Sequence, residues 1–190
     1  VSIENGNNAI QSIKRNIINT YNDNVVGDFG DFGGEYKLNE DTILVSSIDG
    51  VGTKTVLAQR YFGEKGFINL GKDIVNHSIN DILVQGAYPL FFLDYFGTAH
   101  LNITEINYFI KGVSEACIDN GKFPILGGET AEMPLVYNNN MTDLVGCIVG
   151  LKNTNFFKKK IVKYSKVIGF PSNGPHTNGF SLINKLNKID

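Results

Sequence analysis

The sequence predicts a mixed α/β (α+β) fold in which a small mixed β-sheet is flanked by helices. Segments with apolar residues at helical spacing alternate along the chain with short runs rich in β-branched and aromatic residues. Polar, glycine-containing turns fall at the ends of the predicted strands. With 190 residues, of which 42% are hydrophobic, the chain can form one ordinary domain and part of a second.

The predicted elements follow from these periodicities. The predicted helices span residues 9–21, 70–85, 104–119 and 181–186, and the predicted strands span residues 42–48, 89–96, 123–126, 143–151 and 166–170. The helix over 70–85 has the clearest 3.6-residue period, and Thr104 is the candidate N-cap of the helix that follows it. Four glycines and two phenylalanines lie between residues 27 and 34, a composition that predicts a mobile loop.

The chain is expected to contain one whole domain and the start of another. Residues 1–154 would form an N-terminal domain, and residues 155–190 would begin a second α/β domain after a lysine-rich linker. The second domain would be truncated.

Composition excludes several classes of protein. The net charge of -2 comes from 17 basic and 19 acidic residues that alternate along the chain, so no nucleic-acid footprint follows. No apolar stretch is long enough to span a membrane, and residues 1–8 do not resemble a secretory signal. The two cysteines form no CxxC pair, which indicates reduced thiols in a cytoplasmic protein.

The first polar cluster, residues 49–54, follows a predicted strand. It offers Asp49, Gly50, Gly52, Thr53 and Lys54 within six residues. A carboxylate, flexible backbone amides, a hydroxyl and an ammonium group suit a magnesium-phosphate group. The spacing is not that of a Walker A loop, and an ordinary turn between a strand and a helix is the alternative interpretation.

Two further carboxylates lie in unusual positions. Asp81 falls in the last turn of the predicted helix 70–85, where the helix dipole disfavours negative charge, so a compensating cation is expected. Asp94 falls inside the apolar strand 89–96, and a buried carboxylate has to be paired or ligated. A solvated aspartate near a helix end is the simpler interpretation of Asp81.

A third cluster, residues 127–134, follows the predicted strand 123–126. It contains Gly127, Gly128, Glu129 and Thr130, and two glycines beside carboxylates at a strand end can bind a metal or a polar ligand. A tight turn with exposed acids is the alternative.

The fourth cluster, residues 172–181, joins a predicted strand to a predicted helix. Its polar residues are Ser172, Gly174, His176, Thr177 and Asn178. Free backbone amides at a helix N-terminus, together with small polar side chains, form an anion site. His176 could add a proton carrier, although a single histidine is more often structural.

Together the four clusters resemble the aminoimidazole ribonucleotide synthetase (phosphoribosylformylglycinamidine cyclo-ligase) family. The motifs that carry the resemblance are DGVGTK at 49–54, GKDIVNHSINDILVQGAYPLFFLDY at 71–95, LGGETAEMP at 126–134 and SNGPHTNGFSL at 172–182. His77 departs from the family pattern, because an apolar residue is expected there, and it receives no functional role. Members of the family run to well over 300 residues, so this chain would be either a fragment or a split gene product.

The resemblance implies an activity and a fold. ATP would activate the formyl amide oxygen of formylglycinamidine ribonucleotide as a phosphoryl intermediate, and a ring nitrogen would displace phosphate to give 5-aminoimidazole ribonucleotide. The family fold is a homodimer whose N-terminal domains pair their sheets into a barrel, so the small-molecule substrate and a second copy are the expected partners.

The resemblance also implies roles for individual residues. Magnesium would be held by Asp49, Asp81, Asp94 and Glu129. Catalytic roles would fall to Lys54, Asp81 and His176. ATP would contact Gly30, Gly33 and Gly34 of a lid over 27–34, Asp49, Gly50, Gly52, Thr53 and Lys54 of the first cluster, and Gly127, Gly128 and Thr130. A phosphate of substrate or nucleotide would bind Ser172, Gly174, His176, Thr177 and Asn178.

Two alternatives remain open at this point. Another ATP-dependent synthetase or kinase of the same superfamily would share the aspartate and glycine signals. A non-catalytic, dimerising ATP-binding module would fold and bind nucleotide without turnover.

Overall fold

The computed structural model describes residues 2–139, 141–154 and 162–187. In chain order its helices and strands are α1 (Ile3–Ile18), β1 (Val25–Val26), β2 (Gly34–Lys37), β3 (Thr42–Gly50), α2 (Lys54–Phe62), α3 (Gly66–Val84), β4 (Tyr88–Thr98), α4 (Ile103–Asp119), β5 (Ile125–Glu132), β6 (Thr142–Asn153) and α5 (Phe180–Leu186). A short 3-10 turn, Gly63–Lys65, separates α2 from α3. The predicted mixed α/β class is confirmed.

Six strands form one sheet in the order β1-β2-β3-β6-β4-β5. Neighbouring strands are antiparallel except for β4 and β5, which run parallel. Parallel neighbours require a crossover connection, and α4 provides it. The sheet is therefore mixed, as the sequence predicts.

The core lies between one face of the sheet and α3. Phe67 and Leu70 of α3 are fully buried, as is Phe92 of β4. The ring of Phe96 lies 5.9 Å from that of Phe67 and 5.7 Å from that of Phe109 on α4. Burial of these aromatic side chains supplies much of the stability of the domain.

Helices α3 and α4 approach each other closely at two glycines. A Cβ atom at Gly112 would lie 2.0 Å from the carbonyl oxygen of Ile68, and one at Gly71 would lie 2.3 Å from that of Phe109. Any side chain at either position would push the helix backbones apart, so the glycines allow this crossing. The crossing fixes the orientation of α3, which carries Asp81.

The opposite face of the sheet is not covered by α3 or α4, the helices that pack on the core. Ile48 points to this face and is 70% exposed, while Tyr95 and Cys147 are partly exposed there. The register places Ile48 opposite Cys147, so an apolar surface runs across the central strands.

Most predicted elements are confirmed, with shifted ends. The first helix covers Ile3–Ile18 rather than 9–21, and the helix over 70–85 begins earlier, at Gly66. The fifth strand covers Ile125–Glu132, so the third cluster lies largely inside a strand rather than after one. The strand predicted over 166–170 is wrong, because these residues form irregular backbone.

Two local predictions also need correction. Asn102, not Thr104, caps α4: its side-chain oxygen accepts hydrogen bonds from the backbone N–H of Thr104 at 2.9 Å and of Glu105 at 3.4 Å. Within the predicted glycine-rich loop, Gly34 already belongs to β2.

Among the described residues, the helices are too short or too polar to cross a membrane. The linker predicted after the first domain lies mostly outside the described residues.

Candidate functional site

The end of β3 and the C-terminal half of α3 bring three metal-ligating side chains together. The Nε2 atom of His77 lies 2.8 Å from Asp49 Oδ2 and 3.5 Å from Asp81 Oδ2. One ligand atom from each residue lies within 4.8 Å of the other two. Because β3 alternates its side chains, Asp49 points to the same face as the buried Val45 and Ser47, toward α3. We call this group the Asp–His cluster; it consists of Asp49, His77 and Asp81.

Neighbouring groups hold the two carboxylates in place. Asp81 Oδ2 accepts a hydrogen bond of 2.8 Å from the hydroxyl of the buried Ser47. Asp49 Oδ1 accepts a hydrogen bond of 2.6 Å from the backbone N–H of Gly50. The side chain of Asp49 is 51% exposed, whereas that of Asp81 is 14% exposed. One side of the cluster is therefore open to solvent.

Lys54 is the first residue of α2 and lies beside the Asp–His cluster. Its ammonium group forms an ion pair of 2.8 Å with Asp73 and donates to the carbonyl oxygen of His176. It also lies 4.8 Å from the centre of the Phe180 ring. The side chain is only 15% exposed, so the positive charge is held in a partly desolvated position.

A cavity of about 580 Å³ lies between α2, α3 and the segment that leads into α5. This volume is in the range of small-molecule sites. Its polar wall includes Lys54, His77 and Thr177, and its apolar wall includes Leu57, Phe180 and Ile183. Charged groups on one side and apolar side chains on the other suit a ligand with a phosphate end and a ring.

The loop 172–178 lies against this cavity from the other side. Thr177 Oγ1 is 3.0 Å from His77 Nδ1. His176 Nε2 is 2.7 Å from Asn173 Oδ1, and Ser172 donates a 2.8 Å hydrogen bond to the carbonyl oxygen of Gly174. Gly174, His176 and Asn178 are exposed. The loop leaves several polar groups facing solvent.

Helix α5 is fixed to the first cluster by Thr53. The side-chain amide of Asn184 donates a 2.9 Å hydrogen bond to the carbonyl oxygen of Thr53, and the Thr53 hydroxyl lies 3.3 Å from that of Ser181. Gly179, which precedes α5, has φ of 90°, a left-handed conformation that glycine adopts without strain. The first and fourth clusters, 128 residues apart at this contact, are thus neighbours in space.

The glycine-rich loop is anchored at one end. A Cβ atom at Gly33 would lie 2.8 Å from Val45 Cγ1, and Gly33 is buried. Glu35, just after the loop, forms an ion pair of 2.5 Å with Lys152. Gly30 is exposed and has φ of 103°. The predicted role of the loop as a lid stays a prediction.

The structure does not bring Asp94 and Glu129 into the Asp–His cluster. Asp94 shares a row of the sheet with Asp49, on the same face, but Gly146 of β6 lies between them. Glu129 pairs with Tyr95 and so points to the opposite face. Of the metal ligands predicted from sequence, the described residues bring together Asp49 and Asp81.

Of the two glycines in the third cluster, Gly128 has a packing role. A Cβ atom at Gly128 would lie 2.5 Å from both the backbone oxygen and the Oδ1 atom of Asp94. At Gly127 nothing lies within 4 Å of such an atom. Burial raises the pKa of the Asp94 carboxyl above its usual range. Thr130 follows on the same strand, opposite Phe96. The contact of Gly127, Gly128 and Thr130 with ATP stays a prediction.

Sequence reasoning missed His77. The histidine lies four residues before Asp81 on α3, and residues at this spacing share a helix face. This spacing could have indicated the pair, but the proximity of Asp49 depends on how α3 lies on the sheet.

The chain is similar to known proteins along its whole length. Residues 30–151 match the family described as AIR synthase related protein, N-terminal domain. The chain is 42% identical over 201 residues to the phosphoribosylformylglycinamidine cyclo-ligase of Prochlorococcus marinus subsp. pastoris (strain CCMP1986 / NIES-2087 / MED4), covering all of this chain (100%) and 56% of that protein. It is 42% identical over 197 residues to the bifunctional purine biosynthetic protein ADE5,7 of Saccharomyces cerevisiae (strain ATCC 204508 / S288c), covering 98% of this chain and 24% of that protein.

A solved structure has a similar fold. T. maritima PurL complexed with ATP superposes with a TM-score of 0.51 at 18% identity, over 74% of this chain and 23% of that chain. The chain spans about half the length of the cyclo-ligase and about a quarter of the bifunctional protein. The family match covers most of the N-terminal part, including β3, α3 and both carboxylates of the cluster. The chain therefore belongs to the family of AIR synthase related proteins, of which it contains the N-terminal domain.

Proposed function

We propose that the chain is the ATP-binding part of a phosphoribosylformylglycinamidine cyclo-ligase, which converts formylglycinamidine ribonucleotide to 5-aminoimidazole ribonucleotide at the expense of ATP. The names of the relatives support this reaction. The observation that carries the proposal is the meeting of Asp49 and Asp81 beside the cavity that contains Lys54.

The two carboxylates suit a magnesium ion. Asp49 and Asp81 place oxygen atoms within 4.8 Å of each other, and carboxylates this close repel unless a cation lies between them. Magnesium in nucleotide sites is bound by one or two carboxylates together with phosphate oxygens. Asp49 and Asp81 would hold it, and the bound ion would neutralise charge on the triphosphate. Asp94 and Glu129 would supply no ligand to this ion, because they lie outside the Asp–His cluster.

Lys54 suits the triphosphate itself. Its ammonium group is held beside the cavity by Asp73, and one of its three N–H groups can donate to a phosphate oxygen. The apolar wall formed by Leu57, Phe180 and Ile183 suits the adenine ring. T. maritima PurL, a protein of similar fold, is solved in complex with ATP, which supports ATP as the ligand. Backbone amides of Gly50, Gly52 and Thr53, and the loop with Gly30, Gly33 and Gly34, would lie near the phosphates.

The loop 172–178 supplies the second part of the reaction site. The polar groups of Ser172, Gly174, Thr177 and Asn178 would bind a phosphate of substrate or nucleotide. His176 would hold or move a proton there. Because Lys54 donates to the His176 carbonyl group, movement of this loop would be felt at the ATP site.

A homodimer is the expected assembly. The uncovered sheet face carries Ile48, which is 70% exposed, beside Cys147 and Tyr95. Burying such an apolar face against a second copy would remove it from water, and the sheets of the two copies would together form a barrel.

We place the protein in the cytoplasm, with residues 155–190 beginning a second domain.

Calorimetry and turnover assays test the proposal. ATP with Mg²⁺ should bind the chain, and ADP should form only when formylglycinamidine ribonucleotide is present. Lys54→Met should weaken ATP binding about tenfold or more, since a charge-assisted hydrogen bond is lost. Lys72→Met is the matched control, because Lys72 pairs with the partly exposed Glu115.

The outcomes separate the candidate functions. Binding of ATP without ADP formation would favour a non-catalytic ATP-binding module. Such a module would agree with the observation that the chain spans 56% of the cyclo-ligase. ADP formation with another acceptor would identify a different synthetase or kinase. Absence of ATP binding would refute both the proposal and the module.

A further inference from the structure

We propose that His77 is a metal ligand that adds a nitrogen atom to the Asp49 and Asp81 carboxylates. The cluster would then bind divalent ions such as Co²⁺ and Zn²⁺ more tightly than an all-oxygen site would. The inference rests on the proposed function only in placing a cation between Asp49 and Asp81.

The distances fit a shared ion. Metal–ligand bonds of about 2.1 Å place two ligand atoms about 3.0 Å apart at a right angle and about 3.4 Å apart at a tetrahedral angle. His77 Nε2 lies 2.8 Å from Asp49 Oδ2 and 3.5 Å from Asp81 Oδ2. Both separations are close to these values, and the Asp49 and Asp81 ligand atoms lie within 4.8 Å of each other, so side-chain adjustments would let the three atoms bind one ion.

The imidazole ring is oriented by a residue outside the cluster. His77 Nδ1 lies 3.0 Å from Thr177 Oγ1. When Nδ1–H donates to that oxygen, the lone pair of Nε2 faces the two carboxylates. Metal-bound histidines are commonly held in this way, with the second ring nitrogen donating to a nearby acceptor. The His77 side chain is also 17% exposed, which limits its freedom.

The nitrogen ligand changes which ions are preferred. Magnesium favours oxygen ligands, whereas imidazole suits zinc and other first-row transition ions. Affinity for nitrogen-containing sites also rises from Mn²⁺ toward Cu²⁺. Replacing His77 should therefore weaken Co²⁺ and Zn²⁺ binding far more than Mg²⁺ binding.

A purely structural role for His77 predicts a different result. In that case Nε2–H donates to Asp49, the ring orients this carboxylate, and metals bind to oxygen atoms alone. Its replacement would then change the affinities for Mg²⁺ and Co²⁺ by similar factors. The ratio of the two affinities separates these roles.

The test is calorimetric titration of the nucleotide-free chain with CoCl₂ and with MgCl₂. His77→Leu should weaken Co²⁺ binding at least tenfold and change Mg²⁺ binding less than threefold. His100→Leu is the matched control, because His100 is exposed and lies 3.8 Å from another carboxylate, Glu132. This control should leave both affinities unchanged.

A second measurement needs no variant at position 77. The chain has three histidines, so ring ¹⁵N resonances of the labelled chain can be assigned by elimination with His100→Leu and His176→Ala. Addition of ZnCl₂ should shift Nε2 of His77 strongly and leave that of His100 in place. Circular dichroism verifies that each variant is folded.

The result also distinguishes this inference from the proposed function. An unmoved His77 resonance, or an equal loss of Co²⁺ and Mg²⁺ affinity in His77→Leu, would overturn the nitrogen ligand and leave ATP binding intact. Selective loss of Co²⁺ affinity in a chain that does not bind ATP would support the ligand and refute the proposed function.

Discussion

Asp49 and Asp94 lie in one row of the sheet and on the same face, yet their surroundings differ. Asp49, at the end of β3, meets His77 and is half exposed. Asp94, in the interior of β4, is packed against Gly128, and burial raises its pKa. The difference shows that two carboxylates on one face of a sheet become ligand candidates or not according to whether other ligating groups lie beside them.

The largest expected effect follows from a substitution in the Asp–His cluster, which contains Asp49. Asp81→Asn should weaken binding of Mg²⁺ with ATP about 100-fold, equivalent to about 2.7 kcal/mol, because it removes a ligand charge. The amide oxygen can still accept from Ser47, so the fold should persist. Calorimetry measures the affinity, and Glu129→Gln, on the opposite sheet face, should leave it unchanged. Equal losses in the two variants would contradict the contrast drawn here.

The second effect is on stability at the Asp94 end. Gly128→Ala should lower the free energy of unfolding by about 1–3 kcal/mol, the usual cost of overpacking, because the new methyl group would lie 2.5 Å from Asp94 atoms. Gly127→Ala meets no atom within 4 Å and serves as the control. Urea denaturation measures both. Equal stability of the two variants would show that β4 and β5 separate easily at Asp94.

A smaller effect is the pH dependence caused by Asp94. Because the folded-state pKa is raised above the ordinary value of 3.8, the folded chain binds the proton more tightly than the unfolded chain does. The contribution of Asp94 to stability therefore falls as pH rises through 3.8 to the folded-state pKa. Asp94→Asn cannot ionise, so its stability relative to the natural chain should increase over this window. Urea denaturation at several pH values between about 4 and 7 measures the difference; a constant difference would exclude the linkage.

The smallest stability effect is expected in the loop beside Asp49. His176→Ala should change the free energy of unfolding by less than about 0.5 kcal/mol, because the side chain is exposed and bonds only to nearby Asn173 among the described contacts. Turnover or phosphate binding should fall by a larger factor. A large drop in melting temperature with normal kinetics would reverse this assignment.

Much of the fold could be predicted from local patterns. The apolar period of α3 and the β-branched run of β3 are strong signals, because each element has one face buried in the core. The strand predicted over 166–170 failed because a short apolar run has no preferred state without a partner strand. Likewise, the strand predicted to end at residue 126 continues through Gly127 and Gly128, since pairing with β4 overrides the low β-propensity of glycine.

The sequence by itself determined the family, the mixed α/β class and the polar segments that carry candidate ligands, since these depend on residue identity and local periodicity. Only the tertiary structure decided that Asp49 and Asp81 meet at His77, and that Glu129 faces the other side of the sheet. The physical reason is that strand register and the seating of α3 on the sheet set distances between residues far apart in the chain. Neither quantity is encoded in any single segment.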